Sequence, residues 1–129
     1  MSTPYPDLIE RLAAKTSAGQ AAWTVGDRQN TYALNFGDLI FQIGRYWNDT
    51  EDRSELYATM IEPSGRELDA YWMETRQDEG YAAASELFDL AKWNALKLDG
   101  RLQKLLEIVD SGETIGLQEP ADDGADIPF

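Results

Sequence analysis

The sequence predicts an α+β fold: an N-terminal helix, a five-stranded antiparallel meander, a C-terminal α-hairpin packed on the sheet, and a disordered acidic tail. Three observations carry that prediction. The hydrophobic period switches from helical to two at Ala21 and back to helical after Met73. The breaks between the period-two runs are rich in turn formers and too short for a crossover, so neighbouring strands pair antiparallel. Past Gly112 the core-forming periodicity ends. One domain over residues 1–111 and a flexible acidic tail over 112–129 follow, because 129 residues suffice for one core and not for two.

The first helix is expected from Pro6, where Pro near the first turn and the early acids Asp7 and Glu10 suit a helix start. Leu8, Ile9, Leu12 and Ala13 recur at helical spacing until Gly19 ends the run. Five strands are then expected over residues 23–25, 31–36, 39–47, 56–61 and 67–72. Alternation assigns Trp23, Val25, Tyr32, Leu34, Phe36, Leu39, Phe41, Ile43, Leu56, Ala58, Met60, Leu68, Ala70 and Trp72 to a core face. The opposite face carries Thr24, Ala33, Gln42, Tyr46, Tyr57, Thr59, Asp69 and Tyr71.

Residues 74–80 read as a polar connector, and helical spacing returns over 81–98. At about 100° per residue, Ala84, Leu87, Phe88, Leu90, Ala91, Ala95 and Leu98 share one arc that must pack on something. Asn94 lies in that arc as a polar exception, and Trp93 falls outside it as an interface anchor or a lid on the core edge. A break at residues 98–101, with Gly100 to stop one helix and Asp99 to cap the next, precedes a second arm striped by Leu102, Leu105, Leu106 and Val109.

Composition excludes more chemistry than it suggests. With no cysteine and no histidine there is no disulfide, thiolate nucleophile, imidazole base or Cys/His metal site. No phosphate loop, Ser-His-Asp set or calcium loop is present. The carboxylates Asp38, Glu74, Asp78 and Glu79, and the run Asp49-Thr50-Glu51-Asp52, are nominal acid/base or magnesium candidates whose spacing fits exposed turns equally well. The expectation is a protein that is not an enzyme and uses no cofactor or metal. No run of apolar residues resembles a signal peptide or membrane span, so a cytoplasmic protein is expected.

The formal charge is −13, and 19 acids against 11 bases through residue 110 leave −8 on the body alone. Binding to nucleic acid gains from counterions released to Lys and Arg, so direct nucleic-acid binding is not expected of so acidic a body. The tyrosines Tyr46, Tyr57 and Tyr71 on the second sheet face, together with Trp93, form a secondary candidate interface.

The tail, over residues 112–129, ends in Asp122-Asp123-Gly124-Ala125-Asp126-Ile127-Pro128-Phe129. A terminal Phe129 with its carboxylate, stiffened by Pro128 and Ile127 and led by Asp122, Asp123 and Asp126, suits an apolar pocket rimmed by basic side chains. Asp126 to Phe129 behind an acidic lead resembles the C-terminal tip of bacterial single-stranded-DNA-binding proteins. The resemblance covers the tip alone. It implies partners among replication, recombination and repair enzymes, and a non-enzymatic adaptor or decoy in bacterial or phage DNA metabolism. The residues leave two alternatives open: an acidic immunity protein, antitoxin or inhibitor that covers a basic nuclease or DNA-binding surface with its body, and a small single-stranded-DNA-binding protein that uses the sheet aromatics.

Overall fold

A computed structural model describes residues 3–112, 114 and 116. Its elements are α1 (Tyr5–Ser17), β1 (Thr24–Val25), β2 (Thr31–Asn35), β3 (Ile40–Asn48), β4 (Arg53–Ile61), β5 (Glu67–Met73), α2 (Tyr81–Leu96) and α3 (Leu98–Asp110). The chain falls into two units, Met1–Lys97 and Leu98–Phe129.

In the first unit the strands form one sheet in chain order, antiparallel throughout. The α+β class, the leading helix and the five-stranded meander are as the sequence predicts. Helix α1 turns Ile9, Leu12, Ala13 and Thr16 inward, the three- and four-residue steps of one helix face. Its end is set by Gly19, whose φ of 77° is a left-handed conformation that a Cβ disfavours. Helix α2 buries Ala84, Leu87, Phe88 and Ala91. These close on Trp23, Tyr32, Leu34, Phe41, Ile43, Leu56, Ala58 and Met73 of the sheet side to make the core. Full burial of a side chain such as Ile9, Ile43, Leu56 or Leu87 contributes about 2 kcal/mol each.

Polar groups where the helices meet the sheet find partners. Asn94, the polar exception on the apolar arc of α2, accepts the Trp23 backbone N–H at 2.6 Å. The Trp23 indole donates to Thr16 Oγ1 at 2.9 Å, and that hydroxyl donates in turn to the Leu12 carbonyl at 2.7 Å. Tyr5 stacks on Tyr71 with ring centroids 5.1 Å apart and donates its hydroxyl to Asp69 at 3.0 Å, fixing the start of α1 over β5. Burial first, then that bond and the Asp69 charge, push the Tyr5 phenol up to about 12.

Four details differ from the sequence reading. In β5, Ile61 pairs with Glu67 and Met60 with Asp69, so Leu68 is an extra, bulged residue. One inserted residue inverts the alternation beyond it. Asp69, Tyr71 and Met73 therefore face the helices, while Leu68 and Trp72 are 40% and 46% exposed. Val25, Phe36 and Leu39 are exposed as well, Val25 because β1 is a two-residue edge strand, Phe36 and Leu39 because they flank a turn past the end of the sheet. Strand β4 begins at Arg53, since Arg53, Ser54 and Glu55 continue the ladder opposite Asn48, Trp47 and Tyr46. Finally, α2 stops at Lys97, which takes a left-handed φ of 54°, and Gly100 sits inside α3 rather than at a break.

Helix α3, described by itself, buries none of its residues. Leu102, Leu105, Leu106 and Val109, the stripe expected to pack, are all exposed. Within the first unit, α2 is the helix whose Ala84, Leu87, Phe88 and Ala91 join the core with the sheet. Among the described residues no helix is long and apolar enough to cross a membrane.

Candidate functional site

Neither α1 nor α2 lies on the second face of the sheet, and this open face carries the strongest candidate for a binding surface. Its centre follows from the register, which sets Thr31, Gly44, Tyr57 and Trp72 side by side across four strands. Gly44 is required there: a Cβ would overlap the Tyr57 ring and the Thr31 methyl. The Tyr57 ring lies down in the space that glycine leaves, 8% exposed, and Trp72 stacks on it at 4.6 Å. Tyr46 meets Trp72 edge-on at 6.2 Å. Tyr46 and Trp72 remain 52% and 46% exposed. Two large rings held by a buried third are a preorganised apolar contact surface, since their side-chain entropy is already reduced.

Carboxylates share this face with the rings. Glu55, opposite Tyr46 in the register, is buried and accepts from Asn48 Nδ2 at 2.8 Å and Arg53 Nε at 3.2 Å. The same Arg53 also reaches Glu74 at 3.5 Å and Glu51 at 3.9 Å, so one guanidinium is shared by three carboxylates. Farther along the face, a cleft of about 50 Å³ is lined by Asp27, Arg28, Gln42, Tyr57, Thr59 and Glu67, among others. The turn carrying Asp27 and Arg28 is tied down by Thr31, whose hydroxyl donates to the Arg28 carbonyl at 2.6 Å and accepts the Arg28 N–H at 3.3 Å. Gln42 Nε2 donates to Asp27 at 3.4 Å. Burial pushes the Tyr57 phenol above its ordinary value; Arg28 pulls it down, and Asp27 and Glu67 raise it.

Of the residues the sequence singles out, Tyr46 and Tyr57 lie together on this face. Tyr71 does not: the bulge turns it to the helix side, where it stacks on Tyr5 and donates to the Glu79 carbonyl at 2.9 Å. Trp93 is 43% exposed on α2, apart from the open face. Asp122, Asp123, Asp126, Ile127, Pro128 and Phe129 lie outside the described residues. Trp72, assigned to the core by simple alternation, is the ring that joins Tyr46 to Tyr57. The Leu68 bulge that turns it outward has no signal in the alternation pattern.

Of the carboxylate candidates, Glu51 and Glu74 pair with Arg53 and Asp78 holds a turn. Asp78 Oδ2 accepts the backbone N–H groups of Glu74 at 2.7 Å and Thr75 at 3.1 Å, and these bonds hold its carboxyl below the ordinary value. Among the described residues no three His, Cys, Asp or Glu side chains converge as a metal site. No protein-family model, curated protein or solved structure matches the chain.

Proposed function

We propose that this chain is a non-enzymatic protein-interaction module that covers a basic protein surface with the open face of its sheet. The observation that carries the reading is the exposed Tyr46–Trp72 pair, anchored through Trp72 on buried Tyr57, with Glu55 opposite Tyr46 and Asp27 and Glu67 in the cleft beside Tyr57. Exposed aromatics of this kind supply contact area, and a surplus of acid steers a cationic partner. The same surface suits nucleic acid poorly. Its nearby cations are Arg28 and Arg53, and Arg53 is already shared among Glu51, Glu55 and Glu74. A basic nuclease or DNA-binding protein fits the charge, which makes the chain an inhibitor, an immunity protein or an adaptor.

The test is the variant Tyr46→Ser/Trp72→Ser, whose side chains are already half exposed and so cost little to the core. It is expected to lose capture of a basic partner while its far-ultraviolet dichroism stays that of the parent. Capture undiminished by the double variant would sink the reading.

A second reading adds a docking role for the tail, supported by the likeness of Asp126-Ile127-Pro128-Phe129 to the tip of single-stranded-DNA-binding proteins. Here the chain recruits or decoys enzymes of bacterial or phage DNA metabolism that recognise such tips. A peptide of residues 122–129 is expected to bind one of those enzymes at about micromolar strength, the scale of one aromatic anchor plus screened charges. Loss of Phe129 should abolish that binding.

A further inference from the structure

The floor of the open face holds side chains that a solvated sheet surface does not need to bury. Gln42 and Thr59 are 6% and 5% exposed although both are polar. Thr59 Oγ1 is fully buried and has no hydrogen-bond partner among the described residues. A buried hydroxyl left unpaired is unfavourable, and Thr59 is one of the residues that line a cleft with Asp27, Arg28, Gln42, Tyr57 and Glu67. The residues lining the cleft thus bring acceptor groups from separate segments of the chain: the carboxylates of Asp27 and Glu67, the side-chain amide of Gln42 and the buried, unpaired hydroxyl of Thr59.

We propose that this cleft receives the guanidinium group of an arginine side chain on the basic partner; the proposal deepens, and rests on, the reading of the open face as the partner surface. The two carboxylates outnumber the single guanidinium of Arg28, so the lining carries a net negative charge. At about 50 Å³ it admits one small planar head group and not a whole residue. A guanidinium offers five N–H donors in one plane and is weakly hydrated, which matches acceptors spread around a flat aromatic wall better than a compact ammonium does. The arginine enters beside the Tyr46–Trp72 pair, which explains why a polar hole and an apolar platform share one sheet face.

The test uses the full chain, ¹⁵N-labelled, with N-acetyl-arginine methylamide as probe and its neutral citrulline counterpart as control. Both are titrated to about 50 mM, where a site of millimolar affinity is close to saturation. Saturable shifts of the Thr59 backbone amide and the Gln42 side-chain amide are expected with the arginine probe. The citrulline probe should bind at least about tenfold more weakly, and Glu67→Gln and Thr59→Val should each weaken the arginine probe severalfold. No saturable shift, equal binding of both probes, or indifference to Glu67→Gln would each overturn the proposal. Glu67 is exposed, so Glu67→Gln leaves the fold intact and a negative result is readable. The two readings also separate. Arginine binding alongside undiminished capture by Tyr46→Ser/Trp72→Ser leaves the cleft standing and removes the partner face; lost capture without arginine binding does the reverse.

Discussion

At the scale of single residues, the fold depends on side chains that answer distant backbone or ring groups. Asn94 is the clearest. Its carbonyl oxygen satisfies the Trp23 N–H across the junction of α2 and the first edge of the sheet. Asn94→Ala should destabilise the protein by about 1–3 kcal/mol, the cost of a buried donor left unmatched, read as a lower thermal midpoint. Tyr5 makes a pH-dependent contribution. Its folded-state phenol is pushed up to about 12 from an ordinary value of 10.0. A raised pKa gives stability that is complete below the unfolded value and lost as pH rises through the folded one. The midpoint difference between parent and Tyr5→Phe should therefore hold up to about pH 10 and shrink towards pH 12; a constant difference would contradict the Tyr5–Asp69 bond. The sequence displays Asn94 as an oddity on an apolar arc, but nothing local names its partner in Trp23. It likewise displays Tyr46 and Tyr57 on one face and hides Trp72, because one bulged residue, Leu68, resets the alternation.

At the scale of elements, what was legible is what has a period. Helix α1, the five strands and the buried stripe of α2 follow from spacings of 3.6 and 2, which the core demands wherever one face is covered. What was not legible depends on pairing or on a single dihedral. Arg53, Ser54 and Glu55 join β4 because Tyr46, Trp47 and Asn48 are there to pair with them, not because of any apolar pattern. The stop at Lys97 rests on its left-handed φ of 54°, a conformation Gly100 would take more easily, so the residue types pointed to the wrong place. The connector between β5 and α2 is held by Asp78, which is fully exposed and has a lowered pKa. A lowered carboxyl pKa gives stability present above the unfolded value and lost as pH falls through the folded one. Asp78→Ala should lower the thermal midpoint at pH 7, and its difference from the parent should vanish at acid pH, below the depressed pKa. A difference that persists there would mean that the two hydrogen bonds to Glu74 and Thr75 are not the cause.

At the scale of the whole molecule, charge and exposed aromatics together decide the account. The chain carries −13 with no histidine or cysteine to do the commonest catalytic and metal chemistry; Asp78 holds a turn, and Glu51, Glu55 and Glu74 share Arg53. The candidate surface was only half legible from the sequence, since the open face brings together residues as far apart as Asp27 and Trp72, and the cleft exists only once the 26–30 turn folds against β3 and β4. Because the attraction of such a surface for a basic partner is electrostatic, association should slow as ionic strength rises, while the aromatic contact persists once made. The most direct measurement is quantitative affinity capture from a bacterial lysate with three baits side by side: the full chain, the Tyr46→Ser/Trp72→Ser variant, and a chain lacking Ile127, Pro128 and Phe129. A strongly basic protein is expected on the first and third baits and is expected to be lost from the second. The same protein retained in full by the Tyr46→Ser/Trp72→Ser bait would contradict the open-face reading.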